Sequence, residues 1–139
     1  MIEKLLAVAV FCLCALTAQA EIIDIDNAEL ARLAASGVPV VDIRTEGEWK
    51  ETGVIAGSAL LTYFDAAGRA NPPQWLEKIK ALAKADQPVI VMCRSGKRSL
   101  AATQFLSEQA GYKTVYNVSK GLNGWVGEGR KTVPPVMAK

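Results

Sequence analysis

The sequence predicts an α/β fold, one domain with a mostly parallel sheet flanked by helices. Length and composition carry the first part of that reading. The 139 residues suffice for one hydrophobic core and are too few for two. Half of them are hydrophobic, which fits a globular chain and argues against disorder. The order of elements carries the rest. Short apolar runs alternate with stretches whose apolar residues recur three and four apart. That alternation favours parallel strands joined by right-handed helical crossovers.

Residues 1–20 read as a signal peptide and stand outside the fold, leaving 21–139 as the domain. Lys4 and the amino terminus give a short positive region, with Glu3 against it. Leu5 to Leu16 is an apolar stretch of 12 residues, too short to span a bilayer as a helix. Ala18-Gln19-Ala20 then matches a small-x-small cleavage site. The expectation is export to a periplasm, without a stable membrane anchor. Cys12 and Cys14 lie in this segment, so cleavage leaves Cys93 as the one cysteine.

Along the remaining chain, Glu21 to Asp24 suggests an edge strand. Asp26 or Asn27 caps a helix, with Glu29 at capping-box spacing from Asp26. That helix runs to about Ser36 and ends at Gly37. Val38 to Ile43 is an apolar run with Pro39 near its start, read as a buried strand. Glu46 to Glu51 has room for one helical turn before Gly53. Ala56 to Leu61 suggests a short strand, and 62–71 an irregular loop. Asn71 caps a helix with Pro72 and Pro73 in its first turn. Trp75, Leu76, Ile79, Leu82 and Ala83 share one face of it and read as core. Pro88 to Met92 is the most strand-like run in the chain. Cys93 to Arg98 follows as a polar loop, and Ser99 opens a helix through Leu106 that ends near Gly111. Thr114 to Asn117 is a last strand, and a short helix forms around Leu122 and Trp125.

Composition excludes several chemistries. The net charge of +2 and the lack of a long basic run argue against nucleic acid as the main partner. The chain has no histidine, which removes Cys-His and Ser-His pairs and all His-based metal sites. A single thiol is also a poor start for a transition-metal site. Any chemistry at Cys93 needs other means of holding a thiolate.

Those means lie in the segment that follows it, Arg94-Ser95-Gly96-Lys97-Arg98-Ser99. In open α/β sheets, ligands bind beyond the carboxyl ends of strands, where Cys93 sits. The loop feeds a helix N-terminus, whose free N–H groups and dipole favour an anion. Gly96 lets successive N–H groups turn inward as a nest. Arg94, Lys97 and Arg98 place three positive charges within five residues of the thiol. A cysteine in such a place is held as thiolate, and the same cradle attracts an anionic substrate. Arg98, beside the helix start, also suits a role in holding the loop. The plain alternative is a buried, inert cysteine, which needs no such ring of charge.

With these residues, the sequence resembles the single-domain rhodanese family. The segment Cys93 to Ser99, on a strand-loop-helix, is similar to that family's active-site loop. Val40-Val41-Asp42-Ile43-Arg44 resembles its early strand, and Glu48-Trp49 an acidic-aromatic pair after it. Gly53 to Ser58 stands where the family carries a Gly-His-Ile-Pro-Gly-Ala-like segment. Gly111-Tyr112, Asn117 and Gly121 to Trp125 resemble its closing part. Val54 stands in place of the family's His and Ala56 in place of its Pro. Asp42 and Arg44 read as supporting residues that hold the fold behind the site; an ordinary strand-end charge pair is the alternative.

The resemblance implies a single rhodanese-like domain and a two-step sulfur transfer. The Cys93 thiolate takes the outer sulfur of an anionic donor such as thiosulfate. The resulting persulfide then passes it to cyanide, a thiol or a protein acceptor. Arg94, Ser95, Gly96, Lys97, Arg98 and Ser99 would bind the donor and hold the persulfide, and no metal or organic cofactor is needed. Two other readings stay open. One is a cysteine phosphatase or arsenate reductase, whose loop has five residues between Cys and Arg, where four lie between Cys93 and Arg98 here. The other is a non-catalytic persulfide carrier or binding module on the same fold.

Overall fold

The computed structural model of the chain describes Val10, Cys12 and residues 21–137. The expected signal peptide, residues 1–20, lies almost wholly outside the described residues. Five strands form one sheet: β1 (Glu21–Ile25), β2 (Val40–Asp42), β3 (Ala59–Leu60), β4 (Val89–Met92) and β5 (Thr114–Val118). Their order is β1-β5-β4-β2-β3, and every pairing is parallel. The helices are α1 (Asn27–Ala35), α2 (Glu46–Thr52), α3 (Pro72–Lys80), α4 (Lys97–Gln104) and α5 (Gly121–Gly127). Among the described residues, no helix is long and apolar enough to cross a membrane.

The central strand β4 reads Val-Ile-Val-Met because both of its faces are covered. Alternate residues feed two cores. Val89, Val91 and then Cys93 face one core with Val41, Ile43, Trp75, Ile79 and Leu106. Ile90 and Met92 face the other with Leu30, Leu33, Val40 and Leu122. Each fully buried aliphatic side chain here stabilises the fold by about 1.5–3 kcal/mol. Trp75 is core, as its helical spacing suggests. Its indole N–H donates to the Leu61 carbonyl at 2.9 Å, and its ring meets Tyr63 edge-on at 4.9 Å. The Asp26 carboxylate caps α1 by accepting from Glu29 N at 2.8 Å. The Glu29 side chain turns to Arg32 instead of closing a capping box.

Several elements differ from the sequence reading. The β2 ladder covers three residues rather than the whole 38–43 run, since Pro39 offers no N–H. The Ala56–Leu61 strand shrinks to two residues on the sheet edge. Residues 46–52 form two turns, not one, because Thr45 and Glu48 make a capping box. Leu82 lies past the end of α3 and is exposed. The helix after Cys93 starts at Lys97, not at Ser99. It runs into a π-helical turn at Phe105–Gln109, where Ala110 N bonds back to Phe105 O. Val54, where a family His was expected, is buried in a two-bond antiparallel bridge with Val133.

Candidate active site

Strand β4 delivers Cys93 to the carboxyl edge of the sheet, and α4 begins four residues later. Only Arg94, Ser95 and Gly96 connect them. Gly96 caps the helix in a left-handed conformation with φ +94°. A Cβ there would stand 2.4 Å from the Ser119 carbonyl oxygen, so the position requires glycine on two counts. With the helix starting early, Arg98 and Ser99 sit in its first turn.

This geometry aims donors at one atom. Gly96 N and Ser99 N donate to Cys93 Sγ at 3.2 and 3.4 Å. The Ser99 hydroxyl lies 3.3 Å from the same sulfur. Burial pushes the thiol up. Against that stand the N–H groups of Ser99, Ser95 and Gly96 and, when its proton turns to the sulfur, the Ser99 hydroxyl; together they bring the thiol below its ordinary value. Cys93 itself is fully buried.

The loop is braced from behind. Gly121, with φ +55°, packs so close that a Cβ would meet the Arg94 carbonyl carbon and oxygen at 2.5 Å. The next two N–H groups then reach the loop: Leu122 N donates to Cys93 O at 2.9 Å and Asn123 N to Arg94 O at 3.0 Å. The Cys93 and Arg94 carbonyls thus face α5 while Gly96 N and Ser99 N face the sulfur.

The three cations do not act alike. Arg94 and Lys97 are exposed at the rim, and neither forms an ion pair among the described residues. Arg98 is not a free cation. Its guanidinium meets the Glu48 carboxylate at two points, 2.7 and 2.8 Å. That bond draws Glu48 down to about 2 against burial. Ser95 is exposed on the loop. The pair Asp42 and Arg44 is buried beside this region. The Arg44 guanidinium donates to both Asp42 oxygens, to Thr52 Oγ1 at 2.7 Å and to Gly53 O at 2.9 Å. It ties the end of β2 to the end of α2 and points no donor at Cys93.

Three further residues join the site. Ser99 Oγ donates to Asn117 Oδ1 at 2.6 Å, and Asn117 Nδ2 donates to Asp24 Oδ1 at 3.0 Å. Asp24, Asn117 and Val91 sit level on neighbouring strands β1, β5 and β4. No local motif marks this contact. Glu48 had one: a Glu three residues after Thr45 is a capping-box spacing.

A family model described as "Rhodanese-like domain" matches residues 26–128. The chain is 33% identical over 109 residues to "Thiosulfate sulfurtransferase 18" of Arabidopsis thaliana, covering 76% of this chain and 79% of that protein. A rhodanese-related protein from Thermoplasma volcanium superposes with a TM-score of 0.60 at 29% identity, over 81% of this chain and 99% of that one. A Rhodopseudomonas palustris protein described as "Possible Tyrosine Phosphatase" superposes with a TM-score of 0.57 at 26% identity, over 81% and 85%.

Proposed function

Because this chain belongs to the rhodanese-like domain family, we propose that it is a thiosulfate-type sulfurtransferase working through a Cys93 persulfide. The observation that carries the reading is the convergence of Gly96 N and Ser99 N on one sulfur atom. An inert core cysteine needs no such donors. A sulfurtransferase-named relative at 33% identity supports the reading.

The Cys93 thiolate attacks the outer sulfur of thiosulfate. A Cys93 Sγ–S bond forms, the donor's S–S bond breaks, and sulfite leaves with the electron pair. The persulfide keeps one negative charge, on its terminal sulfur, beside the inward N–H groups. Cyanide or a thiolate then attacks that sulfur and leaves the Cys93 thiolate behind. Arg94 and Lys97 at the rim draw in the dianionic donor. Because Cys93 is enclosed, donor capture includes a local parting of the loop above it.

Phosphate or arsenate chemistry is the competing reading, supported by the likeness to the Rhodopseudomonas palustris protein. It suits the site less well. The carboxylate bonded to the loop is Glu48, which Arg98 keeps ionised, so it is a poor proton donor to a leaving group. Export to a periplasm with cleavage after Ala20 belongs to the same proposal, and N-terminal sequencing of the exported protein tests it by finding Glu21 first.

The deciding experiment pairs mass spectrometry with a thiocyanate assay. Thiosulfate should add one sulfur to the wild-type chain and none to Cys93→Ser, and only the wild type should convert cyanide. Equal transfer by both proteins, or phosphate-ester hydrolysis without sulfur transfer, refutes the reading.

A further inference from the structure

The Ser99 hydroxyl has one proton and two neighbours that could receive it. Cys93 Sγ lies 3.3 Å away and Asn117 Oδ1 2.6 Å away. The Asn117 amide is fixed in orientation. Its Nδ2 faces two acceptors, Asp24 Oδ1 at 3.0 Å and the Gly96 carbonyl at 3.4 Å. Turning it over would set an oxygen against both. Its Oδ1 therefore faces Ser99, and a carbonyl oxygen only accepts. The Ser99 proton is drawn to Asn117, which leaves an oxygen lone pair facing the sulfur.

We propose that Asn117 is a positioning residue that withholds the Ser99 proton from Cys93 and so limits how far the resting sulfur is stabilised as thiolate. With Cys93 as a thiol, the S–H donates to Ser99 Oγ and Ser99 donates to Asn117, so the chain is fully satisfied. With Cys93 as thiolate, Ser99 must either face it with a lone pair or turn to it. Turning strands Asn117 Oδ1, which is buried and costly to leave unpaired. The persulfide escapes this conflict, because its charge has moved to the outer sulfur and the inner one carries no proton. Asn117 thereby favours the loaded cysteine over the bare thiolate. This deepens the sulfur-transfer reading and rests on it for its purpose.

Other charged groups lie on the elements around the same thiol. On the loop and α4 these are Arg94, Lys97 and Arg98, the last paired with Glu48 of α2. Nearby on β2 is the Asp42–Arg44 pair. Asp24 lies on β1, and Lys120 stands before α5. A comparison with and without Ser99 holds all of them constant.

The test is the pH dependence of Cys93 alkylation by iodoacetamide, read on the full chain by peptide mass spectrometry so that Cys12 and Cys14 do not interfere. No sulfur donor is present, so the result is independent of whether the protein transfers sulfur. Asn117→Leu keeps the bulk and removes the acceptor. It should lower the midpoint by about one pH unit, as expected for one hydrogen bond gained by a charged sulfur. In a Ser99→Ala background the same change should do nothing. Should Asn117→Leu fail to fold, the exposed anchor decides instead. Asp24→Ala releases the amide and Asp24→Asn retains the acceptor, both without the charge. The midpoint should fall further in Asp24→Ala than in Asp24→Asn when Ser99 is present, and equally when it is absent. An unchanged or raised midpoint in Asn117→Leu, a shift that persists without Ser99, or no difference between the two Asp24 variants overturns the proposal.

Discussion

Arg98 and Glu48, fifty residues apart in sequence, meet in a two-point ion pair with N–O distances of 2.7 and 2.8 Å. Glu48 is also the closing residue of the α2 capping box, accepting from Thr45 N and Thr45 Oγ1. One carboxylate therefore fastens the first turn of α4 to the first turn of α2.

Stability should follow the titration of that carboxylate. The arginine holds Glu48 at about 2 in the fold, against an ordinary 4.5. A depressed carboxyl contributes stability above its ordinary value and loses it as pH falls from about 4.5 to about 2. Allowing for solvent screening of a half-buried pair, the contribution is about 1–2 kcal/mol at neutral pH. Urea denaturation of wild type and Glu48→Gln should differ by that amount at pH 7 and converge across the acid window. A constant gap at all pH values would contradict the assignment.

The buried pair behind the site should be less forgiving. Arg44 and Asp42 are 1% and 0% exposed, so Arg44→Met leaves a buried carboxylate with one backbone partner, Arg44 N. The cost should be about 3–5 kcal/mol, seen as a large drop in the denaturation midpoint. Replacing both residues by apolar ones of similar size should recover much of it. A loss below about 1 kcal/mol for Arg44→Met would show that water reaches Asp42 after all.

Rim charge should control donor capture rather than chemistry. Arg94→Gln and Lys97→Gln should each raise the KM for thiosulfate by roughly three- to tenfold with little change in kcat, a value for exposed rather than buried charges. The effect should shrink as salt rises. Arg98→Gln should differ in kind, lowering the melting temperature along with activity. Steady-state kinetics at two ionic strengths with parallel melts make the comparison. Unchanged kinetics in both rim variants would point to a neutral donor or a protein partner.

The legible parts of the fold are those written locally. β4 shows as four apolar residues in a row, and α1 and α3 show through Asp26 and Asn71 with their periodic faces. The sulfur loop was visible for the same reason: cysteine, glycine, cations and helix start follow one another within seven residues. What stayed hidden depends on the sheet order. Asn117 meets Ser99 because β5 lies beside β4, and Asp24 meets Asn117 because β1 lies beside β5. No spacing in the chain announces either contact. The charges of Arg94, Lys97 and Arg98 look alike in sequence, and only the fold assigns the last of them to Glu48. The early start of α4 was hidden too, since Gly96 caps it through its backbone alone.

The bond from Asn123 N to Arg94 O gives the chain's final quarter a say in its chemistry. The peptide plane that hands the Arg94 oxygen to α5 carries the Ser95 N–H on its other side, toward the sulfur. Part of the polarity of the nest is thus imposed from outside the loop. A fragment ending before Gly121 would keep all five strands, the cysteine and every loop residue, yet would lose the α5 donors that hold the Arg94 peptide plane in place. Transplanting the seven-residue segment onto another sheet would import the letters of the site without its orientation. The transferable unit is the loop together with the helix at its back.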